Sequence, residues 1–159
     1  MPSDRIPLGT RAFIKSYPWR RIDPVPWTPL VKPLAQCRVA LVSSAAAILP
    51  DEVPFDYSGK AGDPTFRFVP SNTDPKRLIE THPNKSFDHS GMAADMNVAF
   101  PLDRVRELAR AGRIGQVAPR HMSFSGYLPA PGRLRKLTAP EAARAMVDDA
   151  VDVAVLFPV

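Results

Sequence analysis

The feature that most constrains the fold is a set of short apolar segments separated by helical patterns. One such segment is CRVALVSSAA, residues 37–46, and another is VDVAVLFP, residues 151–158. Continuous apolar runs of this length are typical of strands that are buried on both faces of a parallel sheet. Strands that alternate with helices favour right-handed crossovers and a sheet covered by helices. The sequence therefore predicts a three-layer α/β/α domain with a mostly parallel sheet, in which residues 151–158 form a central strand.

Two longer helices are predicted from their start and stop signals. The segment PLDRVRELARAG, residues 101–112, repeats apolar side chains at helical spacing and ends in a glycine that can take the left-handed position after a helix. In TAPE, Thr138 precedes Glu141 by three residues, which is the spacing of a capping box. This pair predicts a helix that starts at Thr138 and runs to about Asp149.

The remaining elements are shorter. The segment TFRFVP, residues 65–70, alternates like a strand, and IGQVAPRHMSF, residues 114–124, is typical of a strand that runs into a loop. Asp74 followed by Pro75 predicts the start of a short helix that ends near Thr81. Residues 82–100 show no clean period and are predicted to form a long loop, a kind of segment that is often functional.

The positive charge lies at the amino-terminal end. The formal net charge of the 159 residues is +5, and residues 1–38, with seven Lys and Arg against two Asp, have the same net charge by themselves. Many of the 19 prolines precede residue 50. We therefore expect a basic, proline-rich, extended arm over residues 1–36 and a domain over residues 37–159. Such an arm either contacts an acidic partner or a phosphate, or is simply solvated, and the latter is the commoner case, so nucleic-acid binding is not expected.

The chain contains one cysteine, Cys37, so it has no internal disulfide framework. Cys37 opens an apolar run and is interpreted as a small core residue rather than a redox thiol. The sequence has no apolar run of 18 residues and no signal-peptide pattern near its start. These observations predict a cytoplasmic protein without a membrane-spanning segment.

By residue type and spacing alone, few side chains indicate a catalytic or metal site. Dinucleotide-binding, phosphate-loop and nucleophile-elbow motifs are absent from the sequence. His82, Asp88 and His89 are possible metal ligands by type, but their spacing matches no standard signature, and no metal is predicted. His121 stands where a strand gives way to a loop. It is either an active-site residue or a histidine satisfied by backbone hydrogen bonds.

Three segments resemble a known family. They are GDPTFRFVP, MNVAFPLDRVRELARAGRIGQVAPRHMSFSGYLP and DDAVDVAVLFPV. The chain resembles the glycine, sarcosine, betaine and D-proline reductases, in particular the selenoprotein B and D-proline reductase selenoprotein branch. The likeness begins near VPWTPLVKPLA and continues to the end of the sequence. Its most specific part is FPLDRVRELARAGRIGQVAPRHMSF, in which a helix, a glycine turn and a histidine-bearing strand follow one another.

The resemblance implies that a redox residue follows Val159. In this family the strand that matches VDVAVLFPV is followed by a selenocysteine, or in some members by a cysteine. Selenocysteine is encoded by UGA, which standard translation reads as a stop. The expectation is therefore that the 159 residues are the amino-terminal part of a longer selenoprotein, with an α/β domain that is incomplete at its carboxyl-terminal end and is inactive alone.

The resemblance also implies an activity and partners. The selenolate of the full-length protein would attack the carbon next to nitrogen in glycine, sarcosine, betaine or D-proline and reductively break a C–N bond. A pyruvoyl group on a partner subunit would activate the amine, and a dithiol would supply electrons. The 159 residues themselves hold no cofactor in this interpretation. The full-length protein is expected to be oligomeric and to belong to a reductase complex.

The resemblance assigns site residues only by position. His121 matches a family histidine at a strand end, and would orient the substrate or exchange protons. Candidate substrate-binding residues are Asp63, Arg67, Asp88, Asp95 and Asn97. For these residues, turn capping or ion pairing is the commoner role and the favoured interpretation. Pro101, Asp103 and Arg104 also match a family motif and are interpreted as the start of a helix.

A second hypothesis treats the chain as a self-contained binding or interaction domain with a basic arm and no catalysis. A domain complete at Val159 would unfold cooperatively, whereas a truncated one would expose a sheet edge and apolar surface. A third hypothesis, nucleic-acid binding by the arm, predicts an affinity that depends steeply on salt and requires residues 1–38.

Overall fold

The structure is a computed structural model, and it describes residues 7–16, 21–84 and 88–159. The helices and strands of this part are, in chain order, α1 Leu8–Ser16, β1 Arg38–Ser43, β2 Ala47–Ile48, β3 Phe66–Pro70, β4 Ile79–Glu80, α2 Ser90–Ala94, α3 Leu102–Arg110, β5 Gln116–Val117, β6 Arg120–Phe124, α4 Ala139–Asp148 and β7 Val153–Phe157. Short 3-10 turns lie at Leu34–Gln36, Pro75–Arg77 and Met96–Val98, and a π-helical turn at Leu134–Thr138 leads into α4.

The main sheet is built around β1. This strand pairs in parallel with β7 along one side and with β5 and then β6 along the other. At the far side of β6 lies β3, which is antiparallel to it. The order across the sheet is thus β3, the β5–β6 pair, β1 and β7. The predicted α/β fold with a mostly parallel sheet is confirmed.

Helices cover both faces of this sheet. On one face, α3 packs Leu102 and Val105 against Leu41 and other residues of the central strand. On the opposite face, α4 packs Ala142 and Ala145 against Met122 of β6. Alternate residues of a strand point to opposite faces, so the apolar run of β1 supplies both cores. This is the three-layer arrangement that the sequence predicts.

The prediction that the last strand is central is wrong for the described chain. Within the residues described, β7 pairs with β1 alone, and Leu156 is 70% exposed. The central position belongs to β1, where Leu41 is 1% exposed. Both strands lack a polar face, so the apolar pattern alone could not tell the strand in the middle from the strand at the edge.

The predicted capping box at Thr138 is also wrong. Thr138 has helical backbone angles and lies within a helical segment that begins before it, in the π-helical turn. Its hydroxyl donates to the carbonyl of Pro64 at 2.6 Å and caps no backbone N–H. The Thr138 hydroxyl therefore bonds to the loop before β3, and it does not form the helix cap that the local sequence pattern predicts.

Residues 74–100 contain more structure than predicted. Asp74 does accept from the N–H of Lys76, at 3.0 Å, but the turn it opens has three residues and β4 follows at once. The stretch predicted as a loop contains α2 and a 3-10 turn, which bury Met92 and Met96. In α3 the prediction is accurate, since Pro101 precedes the helix and Gly112 has a φ of 66° just after it.

The described part of the arm is helical over α1 and exposed over residues 21–31. The expectation of an extended arm is therefore wrong for α1, where no proline interrupts the chain after Pro7. The side chain of Trp27 is 84% exposed.

Cys37, by contrast, is fully buried and its thiol donates to the carbonyl of Pro33 at 3.4 Å, which confirms its assignment to the core. Across the described ranges, no helix has the length and apolar character needed to span a bilayer.

Candidate active site at the carboxyl ends of the parallel strands

Three parallel strands end side by side. The loops that leave β1, β6 and β7 are joined by backbone hydrogen bonds, from Ser44 N to Phe157 O at 3.0 Å, from Gly126 N to Ser44 O at 2.8 Å and from Ala46 N to Phe124 O at 2.9 Å. We call this region the carboxyl edge. Ligand sites of open α/β sheets lie outside the carboxyl ends of their strands, so this edge is the first place to look for one.

Val159 is held at the carboxyl edge. Its N–H donates to the hydroxyl of Ser44 at 2.8 Å, and the same hydroxyl donates to the Val159 carbonyl at 3.3 Å. Gly126 closes the other side: a Cβ added there would lie 2.8 Å from the Val159 carbonyl oxygen and 3.1 Å from that of Ser44. The glycine is thus required by a close approach of three backbone segments.

Hydroxyl groups line the same edge. Tyr57 donates to Ser125, which directly follows β6, at 3.1 Å. Burial raises the pKa of Tyr57, although its hydrogen bonds with Ser125 and Thr81 act in the opposite direction. The phenol is therefore protonated at neutral pH and is able to donate.

Two histidines and a carboxylate complete the cluster. Strand β4 pairs with β2 and so brings Glu80 to the carboxyl edge. Glu80 contacts Nδ1 of His89 at 2.8 Å, and Nε2 of His89 lies 2.6 Å from the Asn84 carbonyl. The hydrogen bond to Glu80, assisted by that to Asn84, raises the pKa of His89. Both ring nitrogens face acceptors, so the imidazolium form is favoured.

His82 has the opposite electrostatic environment. Burial lowers the pKa of His82; the Glu80 carboxylate raises it in part, and His89 lowers it further. Nδ1 of His82 accepts from the N–H of Asn84 at 3.2 Å, and Nε2 lies 3.0 Å from the point where a Gly126 Cβ would sit. His82 is therefore a neutral imidazole at the carboxyl edge. Within the described ranges, no three ligand-type side chains are grouped to hold a metal ion.

Backbone strain occurs at the same place. Ala46, two residues after Ser44, has a φ of 53°, which costs a residue with a Cβ about 1 kcal/mol. Its carbonyl accepts from both the N–H and the hydroxyl of Thr81, at 3.1 and 2.7 Å. Strain of this kind persists where surrounding contacts determine it, and it is frequent at active sites.

The structure places His121 away from this edge, in the interior. Nδ1 of His121 accepts from the N–H of Leu41 at 2.9 Å, opposite the break between β5 and β6. Nε2 is buried without a partner among the described residues, and the ring is fully buried. Burial, with a smaller effect of Arg106, lowers the pKa of His121 to about 4. The residue completes the hydrogen bonding of the central strand, and its role in catalysis stays a prediction.

Asp63 and Arg67 form a clamp on the loop before β3. Asp63 accepts from Asp56 N at 2.9 Å and from the N–H and hydroxyl of Thr65 at 2.8 and 2.6 Å. Arg67 lies 3.7 Å from Asp63 and stacks over the Phe55 ring at 4.4 Å. Burial would raise the pKa of Asp63, but the bonds from Thr65 and Asp56 and the charge of Arg67 lower it overall. These contacts give both residues a structural task.

Replacing Asp63 by alanine is expected to lower the free energy of unfolding by about 2 kcal/mol, because buried donors lose their acceptor. Urea denaturation of the two proteins measures this change. Asp51→Ala is the matched control, since Asp51 is exposed and its loss should change stability by less than about 0.5 kcal/mol. Equal effects of the two substitutions would contradict the clamp.

The other three predicted substrate-binding residues cap local turns. Asp88 accepts from Ser90 N at 2.8 Å, and Asp95 accepts from Asn97 N at 3.0 Å. The Asn97 amide also joins Asp103, in the first turn of α3, at 3.0 Å. Asp95 and Asn97 line a cleft of about 670 Å³ that reaches Glu80. Asp88 directly precedes His89, which contacts Glu80 as well. The substrate-binding role of all three residues stays a prediction.

Sequence reasoning missed most of the residues at the carboxyl edge. Ser44, Tyr57, Glu80 and Ser125 were not candidates, and His82 was considered only as a metal ligand. One signal was present: a serine directly follows two of the buried strands, Ser44 after β1 and Ser125 after β6. Tyr57 and Glu80 carry no such signal, because they reach the edge through a loop and through the pairing of β2 with β4.

Comparison with known proteins agrees with the resemblance. Residues 7–158 match the family described as Glycine/sarcosine/betaine reductase selenoprotein B. The chain is 32% identical over 136 residues to D-proline reductase subunit gamma of Acetoanaerobium sticklandii, which covers 85% of this chain and 54% of the relative.

Two further relatives are more distant. Identity is 28% to Sarcosine reductase complex component B subunit beta of Peptoclostridium acidaminophilum, covering 75% of this chain and 27% of the relative. The chain is 30% identical to Glycine reductase complex component B subunit gamma of Symbiobacterium thermophilum, over 69% of this chain and 26% of the relative. The chain thus spans about half or less of the length of these relatives. No solved structure matches it significantly. The chain belongs to the Glycine/sarcosine/betaine reductase selenoprotein B family.

Proposed function

We propose that the whole protein is the redox subunit of a complex that reductively cleaves a C–N bond of an amino acid or amine. In this proposal the redox residue is a selenocysteine or cysteine in the loop after the strand that corresponds to β7. The observation that carries this proposal is the match of residues 7–158 to a family of reductases, and the end of β7 beside Ser44 and Gly126 at the carboxyl edge agrees with it. The names of three relatives, all subunits of amino-acid reductases, support the substrate class and the complex.

The reaction balances as a two-electron reduction. The selenolate or thiolate attacks the carbon next to nitrogen, a carbon–chalcogen bond forms, and the C–N electron pair leaves with nitrogen, which takes a proton. A second thiol then attacks the chalcogen, and the released carbon takes a proton. An external dithiol reduces the resulting selenium–sulfur or sulfur–sulfur bond and becomes a disulfide. A pyruvoyl group on a partner subunit would activate the amine. A cytoplasmic location suits this scheme, since dithiols are kept reduced there.

The carboxyl edge provides what such a residue needs. A chalcogen anion is favoured by hydrogen-bond donors and by partial burial beside polar groups. The Ser125 hydroxyl, which accepts from Tyr57 and so keeps its own proton to donate, lies within this cluster. The strained Ala46 at the same edge agrees with a functional site there.

The coding sequence beyond codon 159 gives the first test. A UGA codon followed by an in-frame continuation of the family supports the proposal, and UAA or UAG at that position contradicts it. In the second test, the full-length protein is produced with selenocysteine insertion, assembled with its partner subunits and assayed for dithiol oxidation with glycine, sarcosine, betaine and D-proline. One of these substrates should support turnover. A serine in place of the redox residue should abolish it, and unchanged turnover would contradict the proposed role.

A further inference from the structure

Residues 21–31 of the arm are exposed along their whole length, and we call them the exposed segment. Three of its apolar side chains, Val25, Trp27 and Val31, are 73, 84 and 92% exposed. Among the residues that the structure describes, none forms a hydrogen bond with this segment. The family match covers residues 7–158 and so includes it. A run of exposed apolar residues that contains a tryptophan is typical of an interaction surface.

The carboxyl-terminal end of the exposed segment is fixed to the domain. Lys32, the next residue, forms an ion pair with Asp152 at 2.7 Å, and its carbonyl accepts from the buried thiol of Cys37 at 3.7 Å. Asp152 also accepts from the N–H of Arg38, the first residue of β1, at 2.7 Å. The exposed segment therefore leaves the domain beside the starts of β1 and β7. This is the end of the sheet opposite the carboxyl edge.

Three prolines restrict the conformation of the exposed segment. Pro24, Pro26 and Pro29 each fix φ near −65° and lack an N–H, so this stretch does not form a regular helix or a central strand. An extended, proline-rich chain loses little conformational entropy when it binds, and such chains are recognised by apolar grooves lined with aromatic side chains. Trp27 directly follows Pro26 and offers a large apolar contact. Tryptophan is enriched among the residues that contribute most to binding.

The charge of the arm indicates the kind of partner. Arg11, Lys15 and Arg21 are exposed, and in the part of the arm that the structure describes Asp23 is the sole acidic residue. Residues 39–159 have no net charge, since the whole formal charge of +5 lies before them. A second copy of this chain therefore offers no excess of acidic groups to the arm. A surface that carries carboxylates complements it better.

We propose that the exposed segment docks into an apolar groove edged by carboxylates on a different subunit of the reductase complex, with Trp27 as its main contact. This inference rests on the proposed function, which includes such a complex. The Lys32–Asp152 pair sets the point from which the segment extends toward the partner. Docking at this end of the sheet leaves the carboxyl edge open for the reaction.

The test measures the dissociation constant of the full-length protein for its purified partner subunits by isothermal titration calorimetry. Trp27→Ala should weaken binding about 30-fold, as the loss of a dominant interface residue does. Val53→Ala is the matched control, because Val53 is 77% exposed on the loop between β2 and β3 and should keep the wild-type affinity. A synthetic peptide of residues 21–36 should compete with the protein for the partner. The same peptide with Trp27→Ala should not compete.

Fluorescence of Trp27 distinguishes other occupants of the exposed segment. The difference between the emission spectra of the wild type and of Trp27→Phe reports this side chain. In the full-length protein alone its emission should resemble that of tryptophan in water, and it should move to shorter wavelength when the partner subunits are added. Two results would overturn the proposal. A shift already present without the partner shows that the same chain covers Trp27, and a shift that appears as the protein is concentrated shows that a second copy does.

The outcomes also separate this proposal from the reductase function. If the complex assembles and turns over, but Trp27→Ala binds as tightly as the wild type, docking by the exposed segment is excluded while the reductase function stands. If Trp27→Ala weakens assembly, but the wild-type complex reduces none of the four substrates, the docking stands and the reductase function falls. If the wild type binds none of the partner subunits, the docking falls together with the complex.

Discussion

Gly126→Ala in the full-length protein is expected to lower reductase activity about 100-fold. The added Cβ would meet the Val159 carbonyl at 2.8 Å and the Ser44 carbonyl at 3.1 Å, and both contacts are with backbone that cannot rotate away. The backbone at the end of β7, which leads to the proposed redox residue, must therefore move. Displacement of a reacting group by about 1 Å is enough to cost about 100-fold in rate. Steady-state turnover of the assembled complex measures the loss.

Gly132→Ala provides the matched control for this prediction. Nothing lies within 4 Å of a Cβ at Gly132, so activity and stability should stay at the wild-type level. Gly126→Ala should also lower the free energy of unfolding by about 1–3 kcal/mol, as overpacking does. Full activity of Gly126→Ala would show that the end of β7 is not part of the active site.

The second large effect is a loss of stability in acid that depends on His121. The native ring stays neutral down to its pKa of about 4, whereas a histidine in the unfolded chain takes a proton near pH 6.5. Between these two values the unfolded state binds more protons, so the free energy of unfolding decreases as the pH falls. The full difference corresponds to about 3 kcal/mol, present above pH 6.5 and lost by about pH 4.

Urea denaturation at pH 7 and at pH 4.5 tests this prediction. His121→Gln keeps an acceptor for the N–H of Leu41 but does not titrate, so its stability should depend much less on pH over this interval. The comparison of the two proteins removes the contribution of carboxyl groups that titrate in both. A wild type and a variant that lose the same amount would show that His121 does not carry the acid sensitivity.

The sequence predicted elements well where one local signal dominates. Strand β1 has an unbroken apolar run, and α3 has a proline before it and a glycine after it, so short-range patterns suffice for both. Predictions were wrong where long-range tertiary contacts compete with the local sequence signal. Thr138 bonds to Pro64, 74 positions away, and the edge position of β7 depends on which strands pair with β1. Neither contact can be predicted from the residues that are close to it in the sequence.

The candidate site was harder to predict than the fold. Ser44 and Ser125 follow buried strands, so the rule for parallel sheets was sufficient to locate the edge. His82 and Glu80 reach that edge only because β2 and β4 pair across 30 intervening residues. The sequence placed His121 at the end of a strand, which suggested chemistry; in the structure it is the second residue of β6, and its ring accepts from the N–H of Leu41. Position along the chain does not reveal on which side of a sheet a side chain lies.

The central position of β1 also affects when the sheet can fold during synthesis of the chain. Arg38 at its start bonds to Asp152, 114 positions later, so the sheet cannot close until almost all of this segment has been synthesised. A ribosome needs on the order of ten seconds to synthesise the residues between Arg38 and Asp152. Pairing between such distant parallel strands is also intrinsically slow. Both edges of this apolar strand are unpaired until β5 and β6 are made, and the edge that β7 covers is unpaired until the end of the segment. Nascent β1 is therefore the segment at which we expect chaperones to bind, and slowing of translation beyond it would prolong its exposure to aggregation.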